Sequence, residues 1–281
     1  MKKVMIIGAG GMLGISMVHE FAGFDIVALD KEDLDITCYS KVRQQLLKHQ
    51  PEFIINCAAY TAVDLAEKEP EKAHKINGSA VGMLASLAKQ ISATIIHFST
   101  DYVFDGNSTE PYKPTDPVNP INVYGHSKLL GEKLIKRSAA KHYIFRISWL
   151  YAPHGKNFFK WVIENDLEEM EVVNTQTGCP TSALDVASFV KHVIENDPKK
   201  YGTYHFCNKD SMTWYAFAKA IIEKASMHKK IFPVSEFPTL AQRPAYSVMD
   251  CSLTITTFNF EIQKVKMALD NVIIQYENLR S

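Results

Sequence analysis

Two rhythms of apolar residues run along the chain. Short, nearly unbroken apolar runs occur at 3–8 (KVMIIG), 25–30 (DIVALD), 53–59 (FIINCAA), 94–99 (TIIHFS) and 143–148 (YIFRIS). They are rich in Ile, Val and Phe, which predicts parallel strands covered on both faces. Helical spacing fills the intervals, over roughly 12–22, 39–49, 70–90 and 124–140. Strand–helix alternation predicts βαβ units and an α/β fold, a Rossmann-like doubly wound parallel sheet. Beyond residue 150 the rhythm loosens. Residues 157–166 and 182–197 read as helices, 202–208 as a strand, 213–225 as an amphipathic helix, and the tail from about 264 as another helix.

This organisation predicts a dinucleotide-binding domain over 1–151 and a smaller α/β substrate-binding region over 152–281, with 181–207 packing back onto the first. Glycines punctuate the first strand–helix junction, at Gly8, Gly11 and Gly14 in MIIGAGGMLG. Such a turn lets backbone N–H groups approach a pyrophosphate at the positive end of the following helix. The strict G-x-G-x-x-G register is broken, because Leu13 takes the place of its last glycine. Asp30 ends the second apolar run about twenty residues on, where an acid receives an adenosine ribose hydroxyl. A strand-end turn carries Asp for its own reasons. Lys31 follows and suits a 2′-phosphate, so NADH and NADPH both remain open.

YGHSK (124–128) sets a phenol and an ammonium four residues apart, on one helix face. A cation there favours phenolate and makes Tyr124 a usable proton donor or acceptor. With 12 Tyr and 26 Lys, about one such pair arises by chance; a second exists at Tyr215/Lys219. Position separates them. STDYVFDG (99–106) ends the run 94–99, where open α/β sheets bind ligands, and the Tyr124 helix follows that strand. Tyr215 lies in an apolar-striped helix outside this unit and reads as core packing.

Composition narrows the picture further. The chain has 281 residues, 46% apolar and 22% charged, with zero formal net charge. No basic field argues for nucleic acid, and no apolar run is long enough to span a bilayer. The N-terminus enters a strand at once, without signal-peptide character. Five scattered cysteines read as reduced thiols of a cytoplasmic protein, and no spacing indicates a metal site.

An ordered set of motifs then resembles one family. GAGGMLG, DLDIT (33–37), NCAAYTAVDLAEKEP (56–70), IN (76–77), STDYVFDG, PINVYGHSKLLGE (120–132), FRISWLY (145–151), GCPTSALDVA (178–187) and RPAYSVMD (243–250) span nearly the whole chain. Together they resemble the dTDP-4-dehydrorhamnose reductases, among the extended short-chain dehydrogenase/reductases. The resemblance implies hydride transfer from NADPH or NADH to the C4 ketone of dTDP-4-dehydro-6-deoxy-L-mannose. The product, dTDP-L-rhamnose, feeds cell-surface polysaccharide synthesis.

By the same resemblance Gly11, Met12, Leu13, Asp30, Asp35, Ile36, Ala59, Tyr60 and Thr61 line the dinucleotide. Thr100, Tyr124 and Lys128 form the catalytic triad, with Tyr124 and Lys128 also meeting the cofactor. Thr100, Asp101 and Trp149 meet the nucleotide sugar. Arg243 is a candidate for a substrate phosphate on the ground of charge and arginine's fork geometry, with an ordinary surface ion pair as the alternative. The resemblance also allows a homodimer and a Mg2+ ion, for which the sequence offers no ligand set. Cys57 and Met12 depart from the pattern at positions that act through backbone or small size.

Rival readings are another nucleotide-sugar 4-ketoreductase, an epimerase or dehydratase of the same superfamily, and a non-catalytic dinucleotide-binding regulatory subunit. Related dehydratases place a Glu after the STD aspartate; here Tyr102 stands there. The intact Tyr/Lys pair speaks against the regulatory reading. The Pro-rich stretch 107–120 reads as a loop over the substrate side, suited to act as a lid.

Overall fold

A computed structural model describes residues 1–280. Six strands form one parallel sheet: β1 (Lys3–Ile7), β2 (Asp25–Leu29), β3 (Phe53–Asn56), β4 (Thr94–Thr100), β5 (His142–Ile147) and β6 (Gly202–His205). Their order is β6-β5-β4-β3-β1-β2. The chain steps one way from β1 to β2 and the other way from β1 to β3, so the switch point opens between β1 and β3.

The unbroken apolar runs follow from coverage on both faces. Val4 and Ile6 of β1 join one buried cluster, with Leu13 and Met17 of α1 (Met12–Glu20). Met5 and Ile7 join another, with Leu46 of α2 (Tyr39–His49) and Leu84 of α3 (Ala80–Gln90). Alternate residues of a strand face opposite ways, and here both ways are dry. Helix α4 (Val123–Ser138) lies on the second face, and α5 (Ala183–Asn196) packs on the first beside α1. Strand β6 pairs with β5, so the segment 181–207 returns to this sheet.

A third apolar cluster lies in the C-terminal part. It includes Phe159, Val172, Phe217 of α6 (Trp214–Lys224) and Leu269. Strands Glu169–Val173 and Lys230–Val234 pair in parallel there. Tyr215 packs half-buried against this cluster and Lys219 is exposed.

Two local expectations change. The helix predicted over 70–90 is interrupted by a π-turn at Lys75–Ser79. Such widened turns occur where packing demands them: a Cβ on Gly131 of α4 would lie 2.3 Å from the Asn77 carbonyl, so the two backbones meet closely. The loop 107–120 is pinned rather than free. Tyr112 exchanges backbone hydrogen bonds with Val248 and Asp250 at 2.8 Å each, and its ring stacks on Phe104 at 4.1 Å.

Candidate active site

At the carboxyl end of β1 the chain turns sharply through Gly8, whose φ is +79°. A Cβ on Gly8 would sit 2.7 Å from the Ala58 nitrogen, and one on Gly14 only 2.0 Å from the Gly8 carbonyl oxygen. Only glycine permits this cradle. Gly11 caps α1 without a side-chain hydrogen bond, leaving first-turn N–H groups for an anion. Asp30 lies at the neighbouring strand end, its carboxylate 2.5 Å from where a Gly10 Cβ would stand. The cradle, helix end and acid fit a dinucleotide. Gly10 was legible in GAGG as a close-approach position but has no place in a Gly8/Gly11/Gly14 register.

Other residues expected to line the cofactor divide by side chain. Leu13 and Ile36 turn into the core, which leaves only their backbones toward the turn. Met12 is half-buried, and its carbonyl oxygen accepts a hydrogen bond from the His154 Nε2–H at 2.8 Å. Asp35 accepts hydrogen bonds from the Thr37 backbone N–H and hydroxyl, both at 2.8 Å, which hold its carboxyl below the usual range. Lys31 and Thr61 are exposed and Ala59 is half-buried. Tyr60 sends its hydroxyl to Glu69 at 2.9 Å.

Asn77 stands in the IN (76–77) motif but carries no role in the sequence reading. Its side chain accepts from the Tyr60 N–H at 2.8 Å, and donates to the Tyr60 carbonyl and to the Ser127 hydroxyl at 2.9 Å each. It thereby ties the loop after β3 to α4. A polar residue on an apolar helical stripe was the available signal.

Helix α4 begins at Asn122, whose Oδ1 accepts from the Gly125 N–H at 2.8 Å and whose amide donates to the Gln242 carbonyl at 2.8 Å. The cap therefore sets the helix start and joins it to the C-terminal part. Tyr124, Lys128 and Glu132 follow at four-residue steps on one face. Tyr124 hydrogen-bonds Thr100 at the end of β4, and Thr100 donates to Asp101 at 3.0 Å. Glu132 is fully buried. It accepts from Ser99 at 2.6 Å and from Arg146 at 2.9 and 2.8 Å. Burial is the strongest single influence and raises this carboxyl, but the Arg146 hydrogen bonds and charge, the Ser99 hydrogen bond and the Lys136 charge together hold it below the usual range.

The electrostatics differ from the simple Tyr–Lys expectation. Burial first, then the nearby Asp101, push the Tyr124 phenol well above its usual value; Thr100 pulls the other way. Lys128 is itself buried, and desolvation brings its ammonium down to about 8 against the pull of Glu132. Burial likewise lifts Asp101 to about 6. A neutral phenol beside the Asp101 carboxyl and the Thr100 hydroxyl has a proton to give and none to take at neutral pH.

A cavity of about 410 Å3 opens beside Arg243, and Trp149 reaches it only through its stacking partner Trp214. The Trp149 indole stacks on Trp214 at 3.6 Å, with φ at +45°. Trp214 itself lines the cavity, as does Arg243. Trp214 heads the apolar stripe of its amphipathic helix, with Phe217, Ala218 and Ile221, so no local signal sets it apart from core packing. The Arg243 guanidinium pairs with Asp64 at 2.8 Å, and its Nε is buried without a partner. Tyr102, where dehydratases carry their acid, packs edge-to-face on Tyr124 at 5.9 Å. Burial pushes its phenol up to about 12. Among the described residues, no group of three or more His, Cys, Asp or Glu is arranged to hold a metal ion, and no helix is long and apolar enough to cross a membrane.

A parallel sheet with a glycine turn at its switch point, and a Tyr-x-x-x-Lys helix facing a strand-end threonine, define the Rossmann-type extended short-chain dehydrogenases/reductases. Within that class the chain matches the family described as RmlD substrate binding domain over residues 1–278, and it belongs to that family. It is 38% identical over 255 residues to the spore coat polysaccharide biosynthesis protein SpsK of Bacillus subtilis, covering 89% of each chain. It is 37% identical to the dTDP-4-dehydrorhamnose reductase of Aggregatibacter actinomycetemcomitans, covering 97% of this chain and 98% of the relative. The crystal structure of the Bacillus anthracis dTDP-4-dehydrorhamnose reductase, in complex with NADP, superposes with a TM-score of 0.93 at 38% identity, covering 98% and 100% of the two chains.

Proposed function

We propose that this chain reduces the C4 ketone of dTDP-4-dehydro-6-deoxy-L-mannose to dTDP-L-rhamnose. The observation that carries the reading is that the Tyr124 phenol meets Thr100 and Asp101 at the carboxyl end of β4, with Lys128 buried one turn further along the same helix. Bound NADPH or NADH supplies the hydride. Gly8, Gly11 and Gly14 cradle its phosphates, and Asp30 takes the ribose.

Thr100 and Tyr124 both face the ketone oxygen. As charge develops there, Tyr124 Oη gives its proton and Thr100 Oγ1 holds the oxygen in line. The Lys128 ammonium stabilises the phenolate left behind. Asp101 and the Trp149 indole hold the sugar, and the Arg243 fork takes a phosphate of the diphosphate in place of Asp64. Tyr102 provides no carboxylic acid for elimination, which favours simple reduction over dehydration.

The test is consumption of NADPH or NADH, each in turn, with dTDP-4-dehydro-6-deoxy-L-mannose, and identification of the sugar formed. Tyr124→Phe is expected to lower turnover by about two or more orders of magnitude while cofactor binding persists. Near-normal turnover in that variant, or no ketone-dependent oxidation by the native protein, overturns the reading.

A further inference from the structure

Folding gathers three of the five cysteines that lie scattered in the sequence. Cys207 follows β6, Cys251 precedes the helix Ser252–Phe258, and Cys179 lies in the turn after the strand Thr177–Gly178. The Cys207 and Cys251 sulfurs are 3.5 Å apart, and Cys179 also hydrogen-bonds Cys207. All three line a cavity of about 500 Å3 whose wall carries Lys113, Lys209 and Asp250. None of the residues assigned above to cofactor or sugar lines this cavity. Cys179 and Cys207 are each only 3% exposed, whereas Cys251 is half-buried and the more open of the contacting pair.

The geometry points to a thiol-oxidation site, in which a hydroperoxide entering this cavity converts Cys207 and Cys251 into a disulfide. Cys251 Sγ, as thiolate, attacks one peroxide oxygen. An S–O bond forms, the O–O bond breaks, and the departing oxygen takes a proton to leave as water or an alcohol. Cys207 Sγ then attacks the sulfenic sulfur. The S–S bond forms, the S–O bond breaks, and the sulfenic oxygen leaves as water with the Cys207 proton. Two thiols lose two electrons together and the peroxide gains them. The sulfurs need approach by only about 1.5 Å to reach bonding distance. The hydrogen bond from Cys207 pulls the Cys179 thiol down, so Cys179 is the competitor for Cys207, but its deeper burial restricts the oxidant's access.

The full-length protein is treated with a small excess of hydrogen peroxide. Thiols are titrated after denaturation, and peptides are mapped by mass spectrometry without reduction. Free thiols are expected to fall from five to three, with Cys207 and Cys251 joined, and dithiothreitol restores all five. Cys251→Ser is expected to slow the loss by about tenfold or more, and Cys38→Ser to leave the bridge unaffected. A Cys179–Cys207 link, oxidation confined to Cys38 or Cys57, or wild-type oxidation kinetics in Cys251→Ser overturns the proposal.

Discussion

Replacing Lys128 by Met separates stability from catalysis. Lys128 is 3% exposed, and burial lowers its ammonium from 10.5 to about 8. That lowering corresponds to ~3 kcal/mol by which the protonated lysine disfavours the native state. The sign follows from proton counts. Between pH 8 and 10.5 the unfolded chain keeps this proton and the native protein sheds it, so stability rises with pH across that window. Below pH 8 both states hold the proton and the full cost stands. Met has similar length and no charge, so Lys128→Met is expected to be more stable by ~3 kcal/mol at pH 7. The gap shrinks to under about 1 kcal/mol near pH 10.

Urea unfolding of the two proteins without cofactor, at both pH values, measures this directly. Other alkaline titrations cancel in the difference. Turnover of the variant is expected to fall by about two orders of magnitude, because its phenolate loses the neighbouring cation. Equal stability at pH 7, or a gap that does not close toward pH 10, would refute the desolvated lysine on which this reasoning depends.

Further outcomes follow from single contacts. Glu132→Gln leaves the buried Arg146 cation without its charged partner, so a loss of ~3–5 kcal/mol is expected in urea melts; a loss under about 1 kcal/mol contradicts it. Gly178→Ala puts a Cβ 2.5 Å from Trp149 Cε2. The indole must leave its stack on Trp214, at a cost of ~1–3 kcal/mol, and the near-ultraviolet circular dichroism of the tryptophan pair should weaken. Arg243→Ala is expected to raise KM for the nucleotide sugar about tenfold, equivalent to ~1.4 kcal/mol, with cofactor affinity unchanged; an unchanged KM removes the arginine from the phosphate site.

Local periodicity decided much about this chain. The apolar runs and the glycines of MIIGAGGMLG are enough to call for a strand, a turn and a helix, because each depends on neighbours a few residues apart. Tyr124, Lys128 and Glu132 share a face for the same reason. Their surroundings depend on distant residues. Arg243 meets Asp64 across 179 positions, and Cys207 meets Cys251 across 44. The π-turn at 75–79 answers to a glycine on another helix, and the loop 107–120 is fastened by Val248 and Asp250. Even the direction of the Tyr124 shift reversed. Spacing places a cation one turn away, but desolvation and the charge of Asp101 are properties of the packed interior, set by which segments exclude water from one another.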